Sequence, residues 1–336
     1  MNILTGLQAN NNLHIGNYFG AVLPMVKSFI KLSENDKFFY FVPNLHSFTT
    51  NIDHNQLYKN TLNNIRLLLS SGINCNDPRV YIYRQSRISA HAELAWALQC
   101  FTYYGEATRM TQFKDKSLKN QNFTLGLLTY PVLMASDILL YGADYIPLGL
   151  DQKQHIELTR DLCERFNNRF GETFILPKPW DEQVEYFQTG KGIKILSLSD
   201  PTKKMSKSDN DNKGCVFLED KPDEVYKKIM SSATDSLASV KYDPINQVGI
   251  SNLLLILSCV RSKTIEEVTG EFENESKYGV FKAIVGKELA NFIEALQTAS
   301  ITITDQQIED ILIGHEEKTR LIANKKLSEV YKKLGL

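Results

Sequence analysis

Cysteine is sparse in this chain and never closely paired. Cys75, Cys100, Cys163, Cys215 and Cys259 are scattered over 336 residues with no Cys-x-x-Cys among them. That pattern argues against a structural zinc or iron–sulfur centre and suits a reducing compartment. Long apolar runs are missing as well. The longest, around Leu253 to Val260, falls far short of the roughly 20 residues that a membrane-spanning helix needs. The N-terminus shows no basic region followed by an apolar run and a small-residue cleavage site, so a soluble cytoplasmic protein without membrane association is expected. Charge of neither sign dominates, since 38 Lys and Arg face 39 Asp and Glu for a net charge of -1. Bulk electrostatics therefore does not mark a nucleic-acid binder, and any RNA contact must come from a local basic surface. Internal repeats and low-complexity tracts are absent too. What the chain has is core material: 43% hydrophobic residues, enough for one large domain or, more in keeping with the length, two.

Along the first half, short apolar strand candidates alternate with helical patterns, which predicts a Rossmann-like α/β domain with a parallel sheet. Strands are expected at Asn2 to Gly6, Lys37 to Pro43, Arg79 to Tyr83 and Asp144 to Leu148. Helices are expected at Gly20 to Leu32, Asn55 to Ser71 and His155 to Phe170. Beyond residue 200 strand signals largely stop. Asp223 to Ala233, Ile250 to Val260, Thr264 to Glu271, Val280 to Thr298, Thr304 to Ile313 and Glu316 to Leu334 all read as helices. The pattern predicts a catalytic domain over 1–200 and an all-helical domain over 201–336, with the boundary between Ser199 and Asn212.

Two stretches carry chemistry. Pro201-Thr202-Lys203-Lys204-Met205-Ser206-Lys207-Ser208 puts lysines on either side of Met-Ser, ahead of a hinge-like segment rich in Asp, Asn and Gly. Lys204 and Lys207 suit a polyphosphate that must be held and then released, because positive charge on a mobile segment can meet it and let it go. Upstream, Leu13-His14-Ile15-Gly16-Asn17 follows the first strand. In an open parallel sheet such a loop belongs in a nucleotide pocket, with phosphate at a helix N-terminus. Gly16 allows close approach of an adenosine, and His14 and Asn17 would donate to triphosphate oxygens. Taken alone, each stretch also reads blandly, as a capped polar loop or a solvated linker.

In this order the two stretches resemble the HIGH and KMSKS elements of class I aminoacyl-tRNA synthetases. Gly105 to Lys116, Leu128 to Tyr141 (with Tyr130-Pro131 and Ser136-Asp137), Asp151-Gln152-Lys153-Gln154-His155 and Gly249-Ile250-Ser251-Asn252 narrow the resemblance to the bacterial tryptophanyl-tRNA synthetases. The matching motifs span nearly the whole chain. The resemblance implies a ligase that activates L-tryptophan with ATP and passes it to the 3′ end of tRNA(Trp), with Mg²⁺ carried on the ATP and a homodimer as the working form. It assigns ATP to Gln8, Ala9, Asn10, Gly16, Asn17, Gly149, Leu150, Asp151, Ile195, Lys204, Met205, Ser206, Lys207 and Ser208. It assigns catalysis to His14, Asn17, Lys204 and Lys207, with no protein-held metal. Tryptophan falls to Leu4, Gly6, His46, Tyr130, Met134, Asp137, Ile146, Leu148 and Gln152. Within that set Asp137 accepts the indole N–H, while Tyr130 and Gln152 hold the α-amino group.

Residue chemistry supports part of this independently. Asp137 lies on an otherwise apolar helix, and a buried carboxylate needs partners; the bland readings are a helix cap or a solvent-facing side chain. The aromatic-rich stretch Arg87 to Met110, with Trp96, Phe101, Tyr103 and Tyr104, fits a dimer interface and intrachain core equally well. Basic residues Lys318, Arg320, Lys325, Lys326, Lys332 and Lys333 on the last helix either meet solvent or lie along RNA phosphates. Three departures from the family pattern stand out: Ala9-Asn10-Asn11 replaces a Pro-Ser-Gly loop, Leu4 replaces an aromatic cap on the indole, and Leu150 replaces an acidic residue. A tyrosine-specific relative, a small-molecule nucleotidyltransferase and a catalytically silent paralogue binding tryptophan or RNA are the alternatives.

Overall fold

The computed structural model describes residues 1–9, 13–49, 52–119, 122–187, 193–206 and 212–336. Contacts gather the chain into two compact units, one of residues 1–10, 24–192 and 304–336, the other of 11–23 and 193–303. This differs from the single cut expected near residue 200, because the N-terminal turn and the last helix each pack away from their sequence neighbours.

In the first unit β1 (Asn2–Gly6), β2 (Lys37–Val42) and β3 (Val80–Arg84) form a parallel sheet in that order, with Leu4 opposite Phe39 and Tyr40 opposite Ile82. The middle strand, β2, is buried from Phe38 to Val42, as its unbroken apolar run requires. The expected fourth strand is reduced to one parallel bridge between Ile3 and Tyr145, where Leu4 N–H donates to the Tyr145 carbonyl at 3.0 Å. The next backbone groups turn to a side chain instead. Gln183, on the helix Trp180–Phe187, accepts from Ile146 N–H at 2.9 Å and donates to the Asp144 carbonyl at 2.9 Å. Pro147 then follows, with no N–H to extend a ladder.

The other edge of the sheet is covered by the last helix. The two helices expected over 304–313 and 316–334 are one, Asp305–Leu334, capped by Thr304, whose hydroxyl accepts from Gln307 N–H. Gly314 lies inside it, facing open space. A mid-helix glycine costs about 1 kcal/mol, which the helix offsets by burying Ala323, Leu327 and Val330 in the core of Leu4, Phe39, Phe41 and Tyr83. The helix also satisfies β3: His315 Nδ1 accepts from Ile82 N–H at 3.1 Å, and Glu316 accepts from Arg84 N–H at 3.2 Å. Arg84 lies between Glu316, at 2.6 and 3.0 Å, and Glu309, at 2.9 and 3.0 Å. Edge N–H groups that would otherwise invite another strand are thereby used. The aromatic stretch 87–110 holds two short helices, Ala90–Gln99 and Tyr104–Arg109. Trp96, Tyr103 and Tyr104 on it are exposed.

In the second unit a turn of α-helix, Ile15–Asn17, runs into a π-helical turn, Tyr18–Val22. The expected helix over 20–32 therefore starts in π form and continues as α-helix over Leu23–Ile30, which from Pro24 on belongs to the first unit. The remaining helices of this unit are Pro222–Met230, Val248–Arg261, Ile265–Gly270 and Tyr278–Ile301. Tyr18 and Phe19 pack edge-on and tilted against Phe292, with ring centroids 5.3 and 5.7 Å apart. Gly249 opens the helix Val248–Arg261 where any Cβ would stand 2.2 Å from the Ala233 carbonyl oxygen, so no larger residue fits without moving backbone.

Candidate functional site

The helix Leu125–Leu140 is apolar on nearly every face, and the cavity that its Asp137 lines takes in Thr5 and Gly6 from the end of β1 and Phe41 near the end of β2, where parallel sheets place ligands. Asp137 on it is 1% exposed, which rules out a solvent-facing side chain. It is also not alone. His46 Nε2 meets Oδ2 at 2.9 Å, His91 Nδ1 meets Oδ1 at 2.6 Å, and Gln85 Nε2 donates to Oδ1 at 2.8 Å and Oδ2 at 3.0 Å. Burial by itself would raise the carboxyl pKa, but the hydrogen bonds and charge of the two histidines outweigh it and hold the group below the usual carboxylate range. Asp137 is therefore an ionised, acceptor-only group at neutral pH.

Asp137 lies at the wall of a cavity of about 220 Å³ whose lining includes Leu4, Gly6, His46, Tyr130, Met134, Ile146, Leu148 and Gln152. Every residue assigned to tryptophan from the sequence is thus brought to one place, and Gln8 joins them. Gly6 is required there, since a Cβ would come within 2.8 Å of the Phe41 carbonyl oxygen. At the polar end, Tyr130 Oη donates to Gln112 Oε1 at 3.3 Å and takes a bond from His155 Nε2 at 2.8 Å. Burial, then the charge of Asp151, pushes the Tyr130 hydroxyl up to about 12, so it stays a neutral phenol. Gln112 and Gln152 in turn donate to Asp151 Oδ2 at 3.1 and 2.6 Å. Asp151, Gly149 and Leu150 are exposed.

In the second unit His14, 4% exposed, caps the Ile15–Asn17 turn, with its N–H donating to Asn17 Oδ1 at 3.2 Å. A Cβ on Gly16 would meet His14 Nδ1 at 2.9 Å and Ile195 Cβ at 3.6 Å, so Gly16 lets the turn lie against the segment that leads to Lys204. That segment is a hairpin: Met205 N–H donates to the Ile195 carbonyl and Ser197 N–H to the Lys203 carbonyl, both at 3.0 Å. Alternation along it buries Met205 and exposes Lys204. Asn252 clamps the hairpin base, accepting from Leu196 N–H at 2.8 Å and donating to its carbonyl at 3.1 Å. At the tip Lys203, then Thr202, bonds Asp200 and lowers its carboxyl to about 2. Ala9 is buried and Ser206 half-buried. Asn10, Lys207 and Ser208 lie outside the described residues.

The sequence reading did not single out Gln85 or His91, although a lone histidine in the apolar run Ala90 to Leu98 is a signal of the same kind as Asp137. Thr5, Phe41, Pro43, Thr49, Gln112 and Ile138 line the cavity as well. Among the described residues no group of three or more His, Cys, Asp or Glu could hold a metal, and no helix is long and apolar enough to cross a membrane.

Comparison with known proteins gives a consistent picture. The family model for class I tRNA synthetases (W and Y) matches residues 1–297. The chain is 42% identical over 335 residues to a tryptophan--tRNA ligase of Caldanaerobacter subterraneus subsp. tengcongensis, covering 99% of this chain and 98% of that one. It is 40% identical over 335 residues to the Bacillus subtilis enzyme of the same name, covering 99% and 97%. Among solved structures, tryptophanyl-tRNA synthetase from Mycoplasma pneumoniae superposes with a TM-score of 0.83 at 32% identity, covering 100% of this chain and 97% of that one. The Campylobacter jejuni enzyme, complexed with ADP and tryptophan, gives 0.79 at 31% identity, covering 100% of both chains.

Proposed function

The chain belongs to the class I tRNA synthetases of the tryptophan and tyrosine group, and from that membership we propose which of its residues recognise tryptophan and which handle ATP. The reaction is tryptophan--tRNA ligation: tryptophan is activated by ATP to the adenylate with release of pyrophosphate, then transferred to tRNA. ATP is a substrate.

The observation that carries the residue assignment is the buried, ionised Asp137 on the wall of a cavity whose lining includes the apolar Leu4, Met134, Ile146 and Leu148. An acceptor-only group in such a place takes the indole N–H, while Met134, Ile146, Leu148 and Leu4 pack on the ring. A substrate without that donor gives Asp137 one hydrogen bond fewer, and sites built to bond a substrate N–H reject such analogues by up to about 10⁴-fold. Tyr130 and Gln152 take the α-amino group, and His46 and Gln8 lie near the carboxylate and nucleotide. Asp151, steadied by Gln112 and Gln152, takes the ribose hydroxyls, with Gly149 and Leu150 beside it. The Ile195 backbone reads the adenine edge, and Gly16 lets adenosine approach. His14, Asn17 and Lys204, with Lys207, direct hydrogen bonds and positive charge at the triphosphate. Charge placed where it develops is the main catalytic device in such phosphoryl chemistry, so no general base is needed.

Mg²⁺ arrives on the triphosphate, whose hard oxygens suit it, rather than in a protein cage. The acceptor is tRNA(Trp), the working form a homodimer seated through the exposed Trp96, Tyr103 and Tyr104, and the compartment the cytoplasm. ATP–pyrophosphate exchange, run separately with tryptophan, tyrosine, phenylalanine and no amino acid, tests the reading. Exchange with tryptophan alone is expected, and Lys204→Ala lowers its kcat about 100-fold without moving Tm, because the side chain is exposed. Exchange with tyrosine would overturn the Asp137 assignment, and no exchange with any of them would point to a silent paralogue.

A further inference from the structure

Two buried residues touch Asp137 without lining the cavity. Gln85 and His91 are both 0% exposed and neither is among the lining residues, so both approach the carboxylate from behind. Their bonds are not equivalent to that of His46, which does line the cavity. Oδ1 receives His91 at 2.6 Å and Gln85 at 2.8 Å, while Oδ2 receives His46 at 2.9 Å and Gln85 more weakly at 3.0 Å. A carboxylate oxygen offers about two acceptor positions, and each oxygen has two donors. Both of those on Oδ1 come from residues outside the cavity lining, whereas one of those on Oδ2 is His46, which lines it. Only Oδ2 therefore has a cavity-side position that a ligand N–H can take over from His46.

Each back-side donor is itself held. An ionised carboxylate accepts only, so His91 Nδ1 carries a proton and donates. Its Nε2 lies 2.9 Å from Tyr141 Oη, and its carbonyl takes the Ser136 hydroxyl at 2.7 Å. Gln85 Oε1 accepts from Leu45 N–H at 3.1 Å, which fixes the amide with its NH₂ toward Asp137 and ties the residue preceding His46 to the same group. Ring stacking of His91 on Phe41 and Tyr83, with centroids 6.3 and 5.7 Å apart, removes its remaining freedom.

We propose that Gln85 and His91 are positioning residues for amino-acid selection: they hold Oδ1 of Asp137 from outside the cavity lining and leave Oδ2, where His46 is the cavity-side donor, as the atom offered to the indole N–H. The inference rests on Asp137 being the indole acceptor. Without the back-side donors the buried carboxyl would take up a proton, become a donor as well as an acceptor, and stop rejecting ligands that lack the N–H.

The probe is the tryptophan isostere with a furan oxygen in place of the indole N–H, compared with tryptophan by kcat/KM in ATP–pyrophosphate exchange. Wild type is expected to reject it strongly. If wild type does not, the Asp137 assignment falls and this inference with it. Given wild-type rejection, His91→Leu and Gln85→Met should each reduce the tryptophan-to-isostere ratio by about tenfold or more. His91→Asn, whose amide restores a donor near the Nδ1 position, should keep the ratio within a few-fold of wild type. KM for ATP should stay level in all three, which separates positioning from general damage. Should His91→Leu fail to fold, the Gln85→Met and His91→Asn ratios decide the matter. An unchanged ratio in Gln85→Met, or a lost ratio in His91→Asn with normal KM for ATP, overturns the proposal.

Discussion

The role proposed for Asp137 needs a group that accepts without donating, and burial alone would undo that by raising its pKa. Asp137→Asn puts an NH₂ where three donors already converge, and we expect kcat/KM for tryptophan in exchange to fall roughly 10- to 100-fold. His315 is a second buried group with a single readable state. It accepts Ile82 N–H at Nδ1 and donates Nε2–H to the Cys75 carbonyl at 3.0 Å, so the ring is neutral. Burial lowers its pKa from the ordinary 6.5, the Cys75 bond opposes this in part, and the charge of Lys318 adds to the lowering. The unfolded chain therefore takes up this proton first. The contribution of His315 to stability is complete above about pH 6.5 and declines as pH falls toward the lowered folded value, by at most about 1.4 kcal/mol per pH unit. Denaturant titrations across pH 5 to 7 should show a shallower fall in His315→Gln than in wild type, because glutamine offers the same acceptor and donor without titrating. An identical slope would remove His315 from the account.

β3 and the helix Asp305–Leu334 are held together by charge as well as by packing. The Arg84 side chain is 6% exposed, as against 5% for Glu316 and 23% for Glu309. Removing the cation leaves two carboxylates facing each other under cover, and breaking a buried pair in this way costs about 3 kcal/mol or more. Arg84→Met should accordingly lower the chemical-denaturation free energy by that order, and adding Glu316→Leu should recover part of the loss. A double variant no better than the single one would mean that packing, not stranded charge, sets the cost. The helix boundaries were legible in the sequence to within a few residues wherever apolar periodicity and a cap agreed, as at Thr304. The π-helical turn at Tyr18–Val22 and the collapse of the fourth strand to one bridge at Tyr145 were not. The first leaves no mark in the apolar periodicity, and the second depends on the remote Gln183 taking the backbone groups of Asp144 and Ile146.

The division of the whole chain follows the same logic. A cut at residue 200, drawn where strand patterns give way to helices, would separate a catalytic half from a helical half. The contacts instead return residues 304–336 to the first unit. A chain ended after Ile303 would uncover the β3 edge and the apolar surface that Ala323, Leu327 and Val330 bury. It should be recovered as aggregate or as a protease-sensitive species lacking a cooperative thermal transition. A soluble, cooperatively melting product would show that the last helix is an accessory to the fold and not part of it.

The sequence by itself determined the chemistry: the order of the His14-Ile15-Gly16-Asn17 and Lys204-Met205-Ser206-Lys207 stretches, the lone carboxylate in an apolar helix, and the parallel strands ahead of a helical half. These are local patterns, and the physics behind them, whether periodicity, turn geometry or charge spacing, acts between near neighbours in the chain. Only the tertiary structure decided that Asp137 is ionised, that Gln85 and His91 stand behind it, and that the final helix closes the first sheet. Each of those depends on groups tens to hundreds of residues apart meeting at hydrogen-bond distance. A pKa, a filled acceptor position or a covered edge is a property of the surroundings of a residue, and no stretch of sequence contains its own surroundings.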